Sequence, residues 1–238
     1  MLPYIAEFLG TMILILLGDG VCCNVNLKKS GMSGAGPVQI TIAWGLAVLI
    51  PACIFGEASG ASFNPALTIA MAAIGRFSWS MVPGYIVAQI AGAFCGAVLL
   101  FVLFHEQFKA TKDDPDTLKG VFCTGPSVRN IPLNVLSEII GTFVLVFAIL
   151  GFGNVAGAAE SGVANLFVFL LIVSVGMSLG GLTGYAINPA RDLGPRLAHA
   201  VLPIEGKGDS DWSYALVPII GPIIGGLIAA FLFVAIPW

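Results

Sequence analysis

Charge is what this chain of 238 residues has least of: Asp, Glu, Lys and Arg together make up 10% of it, against roughly 25% in an ordinary soluble domain. So few charges cannot clothe a water-soluble globule of this size, whereas a hydrophobic content of 58% suits a lipid solvent. Histidine occurs only as His105 and His199, neither accompanied by a nucleophile or metal-ligand arrangement, which removes the usual basis for an enzyme. The five cysteines, Cys22, Cys23, Cys53, Cys95 and Cys123, follow no metal-ligand spacing, and most lie in or beside apolar segments where a thiol packs as a small hydrophobe. No metal or other cofactor is expected. A formal net charge of −3 offers no basic surface for nucleic acid. The first apolar run lacks a basic n-region, continues past signal-peptide length and ends in LLGDGVCC without a clear cleavage site, so it reads as a retained span. Strict apolar and polar alternation in segments of about ten residues is also missing, which excludes a lipid-facing β-barrel.

What the chain does have is long apolar runs. A bilayer core about 30 Å thick needs roughly 20 apolar residues per helix. Six stretches qualify: Leu2–Val21, Val38–Phe55, Trp79–Phe104, Pro132–Phe152, Val163–Leu182 and Tyr214–Pro237. Residues 105–131, containing HEQFKATKDDPDTLKG, form one long polar connection that reads as a solvated loop joining two halves.

Those halves repeat each other. AEFLGT at Ala6–Thr11 returns as SEIIGT at Ser137–Thr142, and GASFNPALT at Gly60–Thr68 returns as GYAINPARD at Gly184–Asp192. The chain therefore divides into a first repeat at 1–104, the connection at 105–131 and a second repeat at 132–238, within one membrane domain. Three crossings invert whatever follows, so the two copies should lie in opposite orientations.

Each Asn-Pro-Ala, at Asn64, Pro65, Ala66 and at Asn188, Pro189, Ala190, opens a stretch too short to span, Ala66–Ile74 or Ala190–Ala200. Asn is a preferred N-cap and Pro loses no needed N–H at the first helical position, so each stretch reads as a re-entrant half-helix. The Gly-rich backbone before each one is tolerable at membrane depth only where protein or a water-filled cavity satisfies it. The expected fold is an all-α membrane protein with six transmembrane helices and two re-entrant half-helices in an inverted repeat.

The paired Asn-Pro-Ala boxes, the repeated AEFLGT and SEIIGT, and Asn-Pro-Ala-Arg-Asp after the second box resemble the major intrinsic proteins, that is, aquaporins and glycerol facilitators, over essentially the whole chain. The resemblance implies two half-helices meeting at the midplane, one pore per subunit, a homotetramer in the lipid bilayer of the cell membrane, and both termini in the cytoplasm. The charge distribution points the other way. Lys28, Lys29, Lys109, Lys112, Lys119, Arg129 and Lys207 follow odd-numbered spans and only Arg76 follows an even-numbered one, which by the positive-inside rule places the amino terminus outside.

Pore chemistry follows from the same residues. Half-helices meeting at their N-termini bring two positive dipole ends together, which disfavours cations. Asn64 and Asn188 can cap their helices through Oδ1, taking the N–H of Leu67 and Arg191, and leave their amide donors for the lumen. Extended backbone at Gly60, Ala61, Ser62, Gly184 and Ala186 offers carbonyl acceptors in a ladder. The resembled family usually has His where Ser62 stands. Glu7 and Glu138, one per half inside a span, should accept from backbone N–H groups of the loops, as the family's glutamates do; the rival reading is a proton relay in a coupled transporter.

Carried over residue by residue, the family's selectivity filter falls on Trp44, Gly176, Tyr185 and Arg191. Water-selective members usually have His at the place of Gly176, and glycerol facilitators have Phe where this chain has Tyr185. Two aromatic rings facing a guanidinium make a wedge that holds a carbon backbone while the donors take its hydroxyls. Trp44 could equally face lipid, and Tyr185 could point away from the lumen. Asp192, a mark of glycerol facilitators, stands four residues before Arg196, so the two can pair on one helix face and leave Arg191 free for the lumen. The resulting expectation is a passive channel for glycerol and other small neutral solutes, accompanied by water, with urea, dihydroxyacetone or lactic acid as further candidates. Alternatives are a channel preferring neutral weak acids, a water-selective aquaporin, and a coupled secondary transporter.

Overall fold

A computed structural model describes residues 1–158 and 160–238. Six helices are long and apolar enough to cross a membrane: α1 Leu2–Asn26, α2 Pro37–Ser59, α4 Val82–Leu103, α7 Ile131–Phe152, α8 Val163–Thr183 and α10 Val217–Ala235. Two short helices interrupt the order of spans, α3 Pro65–Ala73 and α9 Pro189–Val201. At 1.5 Å per residue, α3 covers about 14 Å, half of a bilayer core. No strand occurs among the described residues.

Proline places most of the span starts. Pro3, Pro37, Pro83, Pro132 and Pro218 stand in the first turn of their helices, where a missing N–H costs nothing. This shifts two expected boundaries. Residues from Trp79 to Met81 form a turn, so α4 begins at Val82, and α10 begins at Val217 rather than at Tyr214.

Packing repeats with the sequence. Helix α1 lies against α4 and α2, and α7 lies against α10 and α8. Gly92 and Gly96 of α4 meet the backbone of α1 at Phe8 and Met12, while Gly221 and Gly225 of α10 meet α7 at Val135 and Ile139. These are two matching small-xxx-small contacts, which let helices approach where lipid gives no hydrophobic drive for their association. Each half-helix rests on the last span of the other half: α3 on α10 and α9 on α4. Outward faces carry exposed apolar side chains such as Val87, Val102, Leu103 and Leu170, as an integral multi-pass membrane protein requires.

The connection at 105–131 is more than a solvated loop. It holds two short helices, α5 His105–Ala110 and α6 Pro115–Gly120, and then turns inward, with Leu118, Val121 and Phe122 fully buried. Phe108 stacks on Phe122 at 5.4 Å, which pins this inner segment beside α9. The expectation of a merely solvated loop rested on its charges, and those sit on the outer turns while the apolar residues between them fold in.

Candidate functional site

The Asn-Pro-Ala boxes meet in the middle of the molecule. Asn64 Oδ1 caps α3 by accepting from Ala66 N at 2.9 Å, one residue earlier than the expected Leu67, and Asn188 Oδ1 accepts from Ala190 N and Arg191 N. Each side-chain amide then reaches across the repeat. Asn64 Nδ2 donates to Ile187 O and Asn188 Nδ2 donates to Phe63 O, both at 2.8 Å. Each NH2 carries two hydrogens, so these bonds use one and leave the other for the cavity. The expectation that both amides point wholly to the lumen is thereby corrected. The cross-bonds also satisfy two carbonyls that the irregular loops could not pair by themselves.

The loop before each box does not run extended as expected, because glycine and alternating residues hold left-handed backbone there. Gly60 and Gly184 close α2 and α8 in the left-handed conformation, both at φ 78°, which glycine adopts without steric cost. Beyond them Ala61, Phe63, Tyr185 and Ile187 also have positive φ, between 38° and 50°. Each such residue costs about 1–3 kcal/mol and persists only where its surroundings over-determine it. Here the glutamates do so. Glu7 accepts from Ser62 N and Phe63 N, and also from Ser59 Oγ and Gln89 Nε2. Glu138 accepts from Ala186 N, Ile187 N and Thr183 Oγ1. Alternating residues of left-handed backbone keep successive N–H groups turned toward the glutamate. Among the described residues no protein donor takes the carbonyls of Gly60, Ala61, Ser62, Gly184 or Ala186. Ser62 turns its hydroxyl to Thr68 Oγ1 at 2.6 Å and to Asn64 O, so it ties the loop to the start of α3.

Two cavities run along this seam. One, of about 460 Å³, is lined by both loops, both asparagines and apolar side chains as far as Phe77 and Phe152. The other opens on the side of the 105–131 connection, past Thr41, Lys119, Thr124, Gly176 and Asp209. Among the described residues three line both: Trp44, Tyr185 and Arg191. They form the neck.

The neck is built by close packing. Trp44 is buried, its ring seated in the space left by Gly18 of α1, which excludes the lipid-facing alternative. The Arg191 guanidinium lies 4.2 Å from the centre of the Trp44 ring, a cation–π distance. Tyr185 lies across α8 over Gly176 and Gly180, where a Cβ on Gly176 would come within 2.9 Å of its Cζ. Gly176 therefore lines only the second cavity, and its smallness is taken up by the tyrosine ring rather than by open lumen. The Tyr185 hydroxyl is buried and has no partner among the described residues.

With this geometry in place, the comparisons with known proteins decide the family. A family model described as Major intrinsic protein matches residues 2–233. This chain belongs to the major intrinsic protein family. It is 58% identical over 230 residues to a "Probable glycerol uptake facilitator protein" of Thermotoga maritima, covering 97% of each chain. It is 54% identical to the "Glycerol uptake facilitator protein" of Bacillus subtilis, covering 95% of this chain and 81% of that one. The crystallographic aquaglyceroporin from Plasmodium falciparum superposes with a TM-score of 0.83 at 30% identity, over 97% of this chain and 94% of its own. Members of the major intrinsic protein family are passive channels and facilitators, not enzymes, and the fold described above is the aquaporin fold.

Within this major intrinsic protein, the charges that follow the second Asn-Pro-Ala box, Arg191, Asp192 and Arg196, are all accounted for. Asp192 takes Arg196 Nε at 2.7 Å and Nη2 at 2.8 Å, and also accepts from Thr124 N and Oγ1. Arg196 completes itself on the carbonyls of Thr124, Ser210 and Asp211. Arg191 is not free, contrary to expectation: its Nη1 lies 2.9 Å from Asp19 Oδ1 and 3.3 Å from Phe122 O. Sequence reading passed over Asp19, Gln89 and the 122–124 segment. For Asp19 the signal was available, because an acid within an apolar span asks for a named partner just as Glu7 and Glu138 do. For Phe122 and Thr124 no signal existed, since their contribution is a carbonyl and an N–H brought in by the tertiary fold.

Proposed function

We propose that the chain is a passive channel for glycerol and other small neutral polyols, with water permeating alongside. The observation that carries this reading is the neck, where two cavities meet only at Trp44, Tyr185 and Arg191. The two aromatic rings supply an apolar wedge for a carbon chain, and the remaining guanidinium N–H groups supply donors for its hydroxyls. On the side of the second cavity the free carbonyl of Gly184 acts as an acceptor, and beyond the neck those of Gly60, Ala61, Ser62 and Ala186 do so, while Asn64 and Asn188 offer their second amide hydrogens. Such a ladder replaces the water that a polyol sheds on entry. Glu7 and Glu138 act as braces, each committed to several donors, rather than as proton carriers. We place both termini in the cytoplasm and the second cavity outside, in a homotetramer embedded in lipid.

Stopped-flow light scattering on proteoliposomes tests this reading, with glycerol, water, urea, dihydroxyacetone and lactic acid compared. Glycerol flux well above that of empty liposomes, unaffected by an imposed proton or sodium gradient, is expected. Flux no greater than in empty liposomes would refute the channel reading, and flux driven by either gradient would favour a coupled transporter. Removing the buried, unpartnered hydroxyl with Tyr185→Phe sacrifices no protein hydrogen bond and relieves a desolvated polar atom at the edge of the wedge. The glycerol-to-water flux ratio should rise about two- to threefold, the size of a modest polar contact; a falling ratio would place that hydroxyl on the solute.

A further inference from the structure

The carboxylate of Asp19 is wholly buried in α1, inside a membrane span, and lines neither cavity. Among the described residues its one charged neighbour within ion-pair distance is the guanidinium of Arg191, at 2.9 Å. The contact is an ion pair rather than a well-aligned hydrogen bond, and among the described residues no other donor meets either carboxylate oxygen. A buried acid with this arrangement performs no bracing like that of Glu7 and Glu138, which each hold several loop donors. Its whole effect passes through Arg191.

That effect has two parts. First, Asp19 and Phe122 O both draw on Nη1, while the Trp44 ring lies 4.2 Å from the guanidinium carbon. The guanidinium is thereby fixed with its other edge turned to the passage. Second, Asp19 cancels the charge of Arg191 at the neck. On the same half-helix, Asp192 and Arg196 already cancel each other. With Asp19 present, Arg191 and Arg196 are each matched by a buried carboxylate, of Asp19 and Asp192 respectively. Without it, one guanidinium would stand uncompensated in a low-dielectric channel, and a single-sign site of that kind concentrates counter-ions.

We propose that Asp19 is a positioning residue that neutralises Arg191, and that this neutrality is what excludes small anions from the passage. The proposal rests on reading the neck as a solute pathway. Planar oxyanions are the class to exclude, because a bare guanidinium pairs with them through two parallel hydrogen bonds.

Nitrate is a suitable probe, since it has no neutral form near pH 7 that could cross as a weak acid. Proteoliposomes carrying the wild type, Asp19→Asn or Asp19→Asn with Arg191→Gln are compared for glycerol flux and for nitrate flux, with valinomycin and potassium balancing the charge. Wild-type glycerol flux by itself tests the channel reading. For the single variant, the nitrate-to-glycerol flux ratio should rise about tenfold or more, and in the double variant, whose glycerol flux also changes because a polyol donor is lost, the nitrate flux itself should return to the wild-type level. A merely structural role would lower both fluxes together and leave the ratio unmoved, which would overturn the proposal. Persistence of nitrate flux in the double variant would do the same, because it would assign the flux to a leak. Should the single variant fail to reach the membrane, recovery of the double variant would uphold charge compensation and its failure would refute it.

Discussion

Replacing Glu138 by Ala abolishes glycerol flux and lowers the thermal stability of the detergent-solubilised protein, the largest effect expected of any single substitution outside the neck. Three donors, Thr183 Oγ1, Ala186 N and Ile187 N, converge on this one carboxylate. All three are buried, and each unsatisfied buried donor costs about 1–3 kcal/mol, so the combined loss is about 3 kcal/mol or more. The loss falls on a segment that cannot absorb it. Tyr185 and Ile187 are held at φ 38° and 41°, and without the carboxylate both relax toward ordinary backbone. Relaxation moves Tyr185 out of the neck and pulls Ile187 O from the Asn64 amide, so the damage crosses from one repeat to the other. Light scattering and a thermal melt on the same preparation check this. Flux above half the wild-type value would show that the loop holds its shape without Glu138.

Introducing His at Gly176 should close the passage to glycerol. The Cβ of any side chain there would lie 2.8 Å from Thr41 Cγ2 and 2.9 Å from Tyr185 Cζ, and the adjacent turn at Gly180 packs on the same ring. Neither Thr41 on α2 nor Gly180 on α8 can retreat without moving a span. The tyrosine ring gives way instead, and that ring lines the neck shared by the two cavities. Overpacking of this kind costs about 1–3 kcal/mol. At a factor of ten per about 1.4 kcal/mol, glycerol flux should fall roughly ten- to hundredfold. Pairing the change with Tyr185→Ala removes the obstructing ring, so the double variant should conduct glycerol better than Gly176→His does. A double variant as slow as the single one would show that histidine blocks the passage by itself.

Sequence carried a large share of this site because a duplicated chain states its geometry twice. Asn64 and Asn188 are visible as helix caps, Glu7 and Glu138 as acids that need partners, and Asp192 with Arg196 as a pair one helical turn apart. Each reading depends on local rules of capping, helical spacing and burial in lipid. Trp44 and Gly176 were reached by resemblance alone, and the structure gave them different parts: one lines the neck, the other makes room for Tyr185.

By itself the sequence determined that this chain lives in a membrane, that it has six spans and two half-helices, and where those half-helices begin. These follow from hydrophobic length and from Pro and Asn positions, which act over a few residues. Only the tertiary structure decided that Arg191 is paired, that the amides of Asn64 and Asn188 bond across the repeats, and that the 105–131 connection delivers Phe122 and Thr124 to the neck. Asp19 and Arg191 are far apart in the chain and lie in different halves, and no periodicity links them. Their pairing results from α1 and α9 being held in the same bundle, where burial leaves each charge no nearer partner of opposite sign.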